Sequence, residues 1–120
     1  MSKNVQIVAR AEFVDQTALF PSSPLFVASA DGNFRLSVYT DVTNNPSAIG
    51  SIFADIKWTD NQNAEEIFTD TLGYNASGPF AKWQTLVLRL VKGSVLTIAG
   101  AGNAAPSGST YSMFFTLEEI

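Results

Sequence analysis

Apolar residues recur at every second position through most of this chain. From Val5 to Phe13 they fall at Val5, Ile7, Ala9, Ala11 and Phe13, with Gln6, Arg10 and Glu12 between them. A period of two sends alternate side chains to opposite faces of an extended segment, so the run predicts a strand with one buried face. Phe34, Leu36, Val38, Thr40 and Val42 repeat the pattern against Asn33, Arg35, Ser37, Tyr39 and Asp41. Ile52, Ala54, Ile56 and Trp58 repeat it against Phe53, Asp55 and Lys57. Leu86, Leu88 and Leu90, then Val95 to Ile98, then Tyr111, Met113, Phe115 and Leu117 predict three more strands. Weaker strands are expected over Glu65–Thr71 and at Leu25-Phe26-Val27, where flanking prolines suit a sheet edge. Glu65-Glu66-Ile67-Phe68 also fits one helical turn, but the nearby threonines favour a strand.

The breaks between these runs are rich in turn formers. Asp31-Gly32 and Lys92-Gly93-Ser94 predict tight turns, with glycine supplying a positive φ. Asn44-Asn45-Pro46-Ser47, Asp60-Asn61-Gln62-Asn63, Gly73 to Pro79 and Gly100 to Ser109 read as loops. About eight strands and no helical period predict an all-β fold. We expect one domain over residues 1–120: an antiparallel two-sheet sandwich with jelly-roll topology, residues 1–4 forming a flexible arm. An immunoglobulin-type sandwich is the second choice, set back by the long strands and uneven loops.

Three strands are too apolar on the face that should meet water. Val87 and Val91 lie opposite the leucines at 86, 88 and 90; Phe114 lies opposite Met113 and Phe115; Phe53 lies opposite Ile52 and Ala54. If Phe53, Val87, Val91 and Phe114 converge, they make a patch that needs a partner, and the commonest partner is another copy of the same chain.

Composition narrows the chemistry sharply. The chain of 120 residues has no cysteine and no histidine. Thiol catalysis, disulfides, a histidine base and the usual zinc ligands are thereby excluded. The net charge is −4, and each half of the chain is mildly acidic, so no basic face is available for nucleic acid. No apolar run is long enough to predict a membrane helix. The N-terminus lacks a continuous apolar stretch and does not read as a secretion signal.

Only a few constellations remain. Asp60, Asn61, Gln62, Asn63, Glu65 and Glu66 form the densest group of oxygen ligands, but Ala64 and Glu65 stand where a calcium-binding loop needs a ligand and a glycine. We expect a solvated turn there. Asp55 and Asp60 are five apart and point to opposite faces, which does not suit a glycosidase pair. Trp58, Trp83, Tyr39 and Tyr74 could form a sugar-stacking platform. Trp58 continues the Ile56 face and is expected in the core, leaving Trp83 as the contact residue. No catalytic residue, cofactor or metal is expected.

The segment Asp31-Gly32-Asn33-Phe34-Arg35-Leu36-Ser37-Val38-Tyr39 resembles a Gly-x-aromatic-Arg-x-Ser-Val-Tyr stretch of small proteins from tailed phages and bacteria. Val87 to Ile98, a strand, turn and strand, and the closing Tyr111 to Glu118 are similar to parts of the same proteins. The glycine-aromatic start and terminal aromatic strand also resemble the trimeric jelly rolls of tumour-necrosis-factor and complement-head type. These likenesses imply a trimer acting as a capsid decoration protein at the virion surface, or as the receptor- or carbohydrate-binding tip of a tail fibre. They carry over no functional residue. Met1 stands only a few residues before the first strand, which leaves no room for a fibre shaft and favours decoration. The contacts expected with a capsid protein are Ser2, Lys3 and Asn4 of the arm, and Trp83 is expected to contact a surface glycan.

Overall fold

The computed structural model describes residues 6–43, 50–74, 80–102 and 110–120. Among these, nine strands form: β1 (Gln6–Gln16), β2 (Ser23–Val27), β3 (Gly32–Thr43), β4 (Gly50–Thr59), β5 (Ala64–Phe68), β6 (Leu72–Tyr74), β7 (Ala81–Leu90), β8 (Val95–Gly102) and β9 (Thr110–Glu119). They build two antiparallel sheets. One has four strands in the order β1-β9-β3-β7; the other runs β2-β8-β4-β5, with β6 also paired to β4. Successive strands change sheet at every connection except β4–β5–β6.

The alternating residues fall as their period requires. Phe34, Leu36, Val38 and Val42 of β3, Ile52, Ala54 and Ile56 of β4, and Tyr111, Met113, Phe115 and Leu117 of β9 all enter one core between the sheets. Burying each large apolar side chain contributes roughly 1.5–3 kcal/mol. Phe20, which lies between β1 and β2 and outside any strand pattern, is also core. Its ring stacks on Phe13 with centroids 3.8 Å apart and meets Phe115 edge-on.

Three local expectations change. The segment expected as one strand over Glu65–Thr71 splits at Thr69, and Gly73 and Tyr74, expected in a loop, belong to β6. At the break, Thr69 Oγ1 accepts a hydrogen bond from the Ala54 amide at 2.8 Å, and the Thr69 amide donates to the Ala54 carbonyl at 2.9 Å. The interrupted edge therefore leaves no polar group of this pair stranded. Gly32 opens β3 without a positive φ, whereas Gly93 has φ 86° and makes the predicted turn. Asp31 contributes differently: its carboxylate accepts the Lys92 amide at 2.7 Å and ties the two turns together. Finally, β8 runs on to Gly102 at φ 104°, where a Cβ would stand 2.5 Å from the Ser51 carbonyl oxygen. Only glycine fits β8 against β4 at that point.

Candidate docking surface

The outer face of the four-stranded sheet collects the residues that water should not favour. Register places Glu12 of β1, Phe114 of β9, Tyr39 of β3 and Trp83 of β7 in one row across all four strands. Directly opposed side chains on a sheet lie close enough to touch, and the Phe114 and Tyr39 rings are 6.2 Å apart. Trp83 at 70% and Val87 at 68% are the most exposed large apolar side chains among the described residues.

A second row holds Ile7, Glu118, Arg35 and Val87. Its two charges neutralise each other: Arg35 Nε and Nη2 each lie 3.2 Å from a different oxygen of Glu118. Such a two-pronged pair holds the guanidinium in one plane and cancels the charge of its own row. Between these rows stand Arg10, Thr116, Ser37 and Thr85. The face thus sets an aromatic row and a row with a compensated ion pair on either side of a polar one.

Of the four residues expected to converge, Val87 and Phe114 share this outer face, but they stand in different rows with β3 between their strands. Val91 follows β7, half-buried, and its amide donates to the Thr59 carbonyl at 3.3 Å. Phe53 lies on the other sheet, where it meets Phe68 edge-to-face at 5.7 Å. Its period-two position was read correctly, but strand parity does not say which sheet a strand joins. Trp83 joins the Phe114 row through Tyr39, a link invisible in sequence because it depends on β3 lying between β9 and β7. Of the four candidate sugar-stacking aromatics, Tyr39 and Trp83 are neighbours; Trp58 packs against the core and Tyr74 is buried. Ser2, Lys3 and Asn4 lie outside the described residues.

The acidic constellations resolve into local roles. Asp60 caps the β4–β5 turn, its Oδ1 accepting the amides of Gln62 at 2.8 Å and Asn63 at 3.0 Å. Those two bonds hold its carboxyl below the usual carboxylate range. Asp55 does not face Asp60. It stands on the outer face of the five-stranded sheet beside Lys57, whose Nζ lies 3.8 Å from Asp55 and 3.6 Å from Glu66. A hydrogen bond with Asp55, followed by desolvation, pushes the Glu66 carboxyl above its ordinary value. An open groove of about 390 Å³ runs beside this trio, lined by Trp58, Thr59, Ala64, Glu65 and Val95 as well as Lys57 and Glu66. Among the described residues no group of three or more acidic side chains is placed to hold a metal ion.

The chain matches no protein-family model, and no curated protein is similar to it in sequence.

Proposed function

We propose that the protein is a non-enzymatic structural component of a phage particle, a jelly roll that assembles as a homotrimer and decorates the capsid surface. The outer face of the four-stranded sheet carries this reading: a row of half-buried Phe114 with exposed Tyr39 and Trp83, and exposed Val87 further along β7. The strand order supports the jelly roll. Counting β5 and β6 as two halves of one edge gives eight strands, divided evenly between two sheets, with every connection but the one after β4 crossing between them. An immunoglobulin-type sandwich instead keeps several neighbouring strands in one sheet.

The face has the size an interface needs. Four strands spaced about 4.8 Å apart, each some ten residues long at about 3.3 Å per residue, cover roughly 600 Å². A stable pairwise interface takes about 800 Å² of accessible surface from each partner, which side-chain relief brings within reach. The Arg35 and Glu118 pair is covered as a neutral unit, while Arg10 and Glu12 lie toward the β1 edge of the face. A trimer then holds its capsid through three copies of one contact, which raises the effective concentration of each.

Sedimentation at micromolar concentration is expected to give a trimer for the native chain. Phe114→Glu should dissociate it, while Val27→Glu, equally disruptive in kind but on the other sheet, should not. A monomeric native chain overturns the reading. The second reading, a glycan-binding fibre tip, is favoured by one observation: Trp83 and Tyr39 present adjacent exposed rings. Binding to a surface glycan array that is lost in Trp83→Ala, with no binding to undecorated capsids, would replace the first reading by the second.

A further inference from the structure

The four sheet edges of this molecule are not alike. β1 carries register breaks between Ile7 and Ala9 and between Phe13 and Gln16, with Asp15 at a positive φ of 51°. β2 has five residues, a proline and a break between Pro24 and Phe26. The β5–β6 edge is split at Thr69. Bulges, prolines and short strands are the devices that stop an edge from recruiting another strand. β7 has none of them. Its ten residues pair with β3 without a break from Gly32↔Leu90 to Asp41↔Ala81, and no strand among the described residues occupies its other edge. The one charge positioned to guard its start, Lys82, lies 3.9 Å from Asp70.

β7 is also symmetric in what it exposes. Its outward residues are Ala81, Trp83, Thr85, Val87 and Arg89, all exposed. Trp83 and Val87 stand two positions to either side of Thr85. Antiparallel strands pair residues of the same facing, so a two-fold axis through Thr85 sets Trp83 against Val87 of the second copy, twice, and Thr85 against itself. An aromatic ring against a β-branched side chain is a favourable cross-strand pair. No like charges meet in this register, since Arg89 falls opposite Ala81. We infer that β7 is a second self-association surface, at which two copies join edge to edge about Thr85 into one continuous eight-stranded sheet. This contact is distinct from the face contact proposed above. Together the two would link trimers laterally, as a surface lattice requires.

The cysteine-free chain allows a clean test. Facing residues in an antiparallel pair have Cα atoms about 4.5–5.5 Å apart, within the range that a disulfide spans. Thr85→Cys, oxidised with diamide at micromolar concentration, is expected to form a covalent dimer at least about tenfold faster than Glu12→Cys, which lies at the far end of the same face. Adding Trp83→Asp and Val87→Asp should abolish the difference. Equal rates for the two cysteine variants, or a Thr85 crosslink unaffected by those two substitutions, overturn the inference. Adding Phe114→Glu separates the two contacts. If the trimer is lost and the Thr85 crosslink survives, the edge contact stands on its own. If the crosslink is lost with the trimer, Thr85 meets its copy through the face, and the edge contact is overturned.

Discussion

Glu66 is the residue on which opposing electrostatic demands meet most openly. Lys57, 3.6 Å away, favours its ionised form, while the hydrogen bond with Asp55, desolvation and the Asp55 charge favour its protonated form. The second set wins, and the Glu66 carboxyl titrates above its ordinary value. A group whose folded value is raised contributes stability that is complete below the unfolded value and is lost as pH rises through the folded one. The Glu66 contribution is therefore full in acid below the ordinary glutamate value of 4.5 and fades as pH rises above it. Glu66→Gln, which keeps the hydrogen-bonding shape without the titration, should flatten the dependence of unfolding free energy on pH in that window. Urea denaturation of both proteins between about pH 4 and pH 7 reads the slope directly; an unchanged slope would show that folding does not raise the Glu66 carboxyl. Within the core, Tyr111 is fixed from several sides. Its hydroxyl donates to the Ala18 carbonyl at 2.8 Å and accepts the Phe20 amide at 3.1 Å. Burial pushes its pKa up. Gly100 leaves room for the arrangement, since a Cβ there would stand 3.0 Å from both the Phe20 ring and the Tyr111 oxygen.

At the scale of elements, the split edge β5–β6 shows how a sheet survives an interruption. β4 pairs with β5 at Asp55–Thr59 and with β6 at Gly50–Ile52, and Ala54 falls in the gap. Thr69, itself buried, supplies the missing partners with its hydroxyl and its backbone. Thr69→Val keeps the shape but removes the acceptor for the Ala54 amide, leaving a buried donor unpaired. Such a loss costs about 1–3 kcal/mol. The expected shift is a lower urea midpoint at unchanged slope, with Thr69→Ser recovering most of it; a midpoint equal to the native one would mean that water replaces the hydroxyl. β7 contrasts with this edge. One is protected by a break that a side chain repairs, and the other pairs with β3 without a register break and sets Trp83 and Val87 outward.

For the molecule as a whole, the sandwich leaves two broad outer faces that differ in character. The four-stranded face sets an aromatic row beside a polar row and the Arg35–Glu118 pair. The five-stranded face sets Phe53 and Phe68 beside the charged trio of Asp55, Lys57 and Glu66. Oxygen atoms are the only metal ligands such a composition offers, and these suit calcium or magnesium. The acidic side chain at the centre of the richest cluster, Asp60, is already engaged by two backbone amides. Chelator is therefore expected to leave the melting temperature unchanged. A bound ion stabilises by mass action, so a rise of several degrees in millimolar calcium would assign a site to the Asp60–Glu66 turn.

How much of this was legible in the chain follows from what a period of two encodes. Alternation fixed which side chains point inward, and Phe34, Leu36, Ile52, Ile56, Phe115 and Leu117 are buried as their spacing requires. The outward facing of Phe114, Val87 and Trp83 was equally readable, because facing is local to a strand. Which strands lie side by side is not local. The row of Phe114, Tyr39 and Trp83 exists because β3 lies between β9 and β7, and Phe53 is separated from it because β4 joins the other sheet. Phe20 carried no strand signal and entered the core through the folding back of the β1–β2 connection against Tyr111 and Gly100. The meeting of Glu66 with Asp55 likewise depended on the β4–β5 register, which sets Lys57 opposite Glu66 and nothing in the spacing of either strand dictates. The sequence by itself determined the class of fold and the facing of each strand; the pairing of strands, which closes contacts between residues far apart in the chain, decided the docking surface, the free edge and the charged trio.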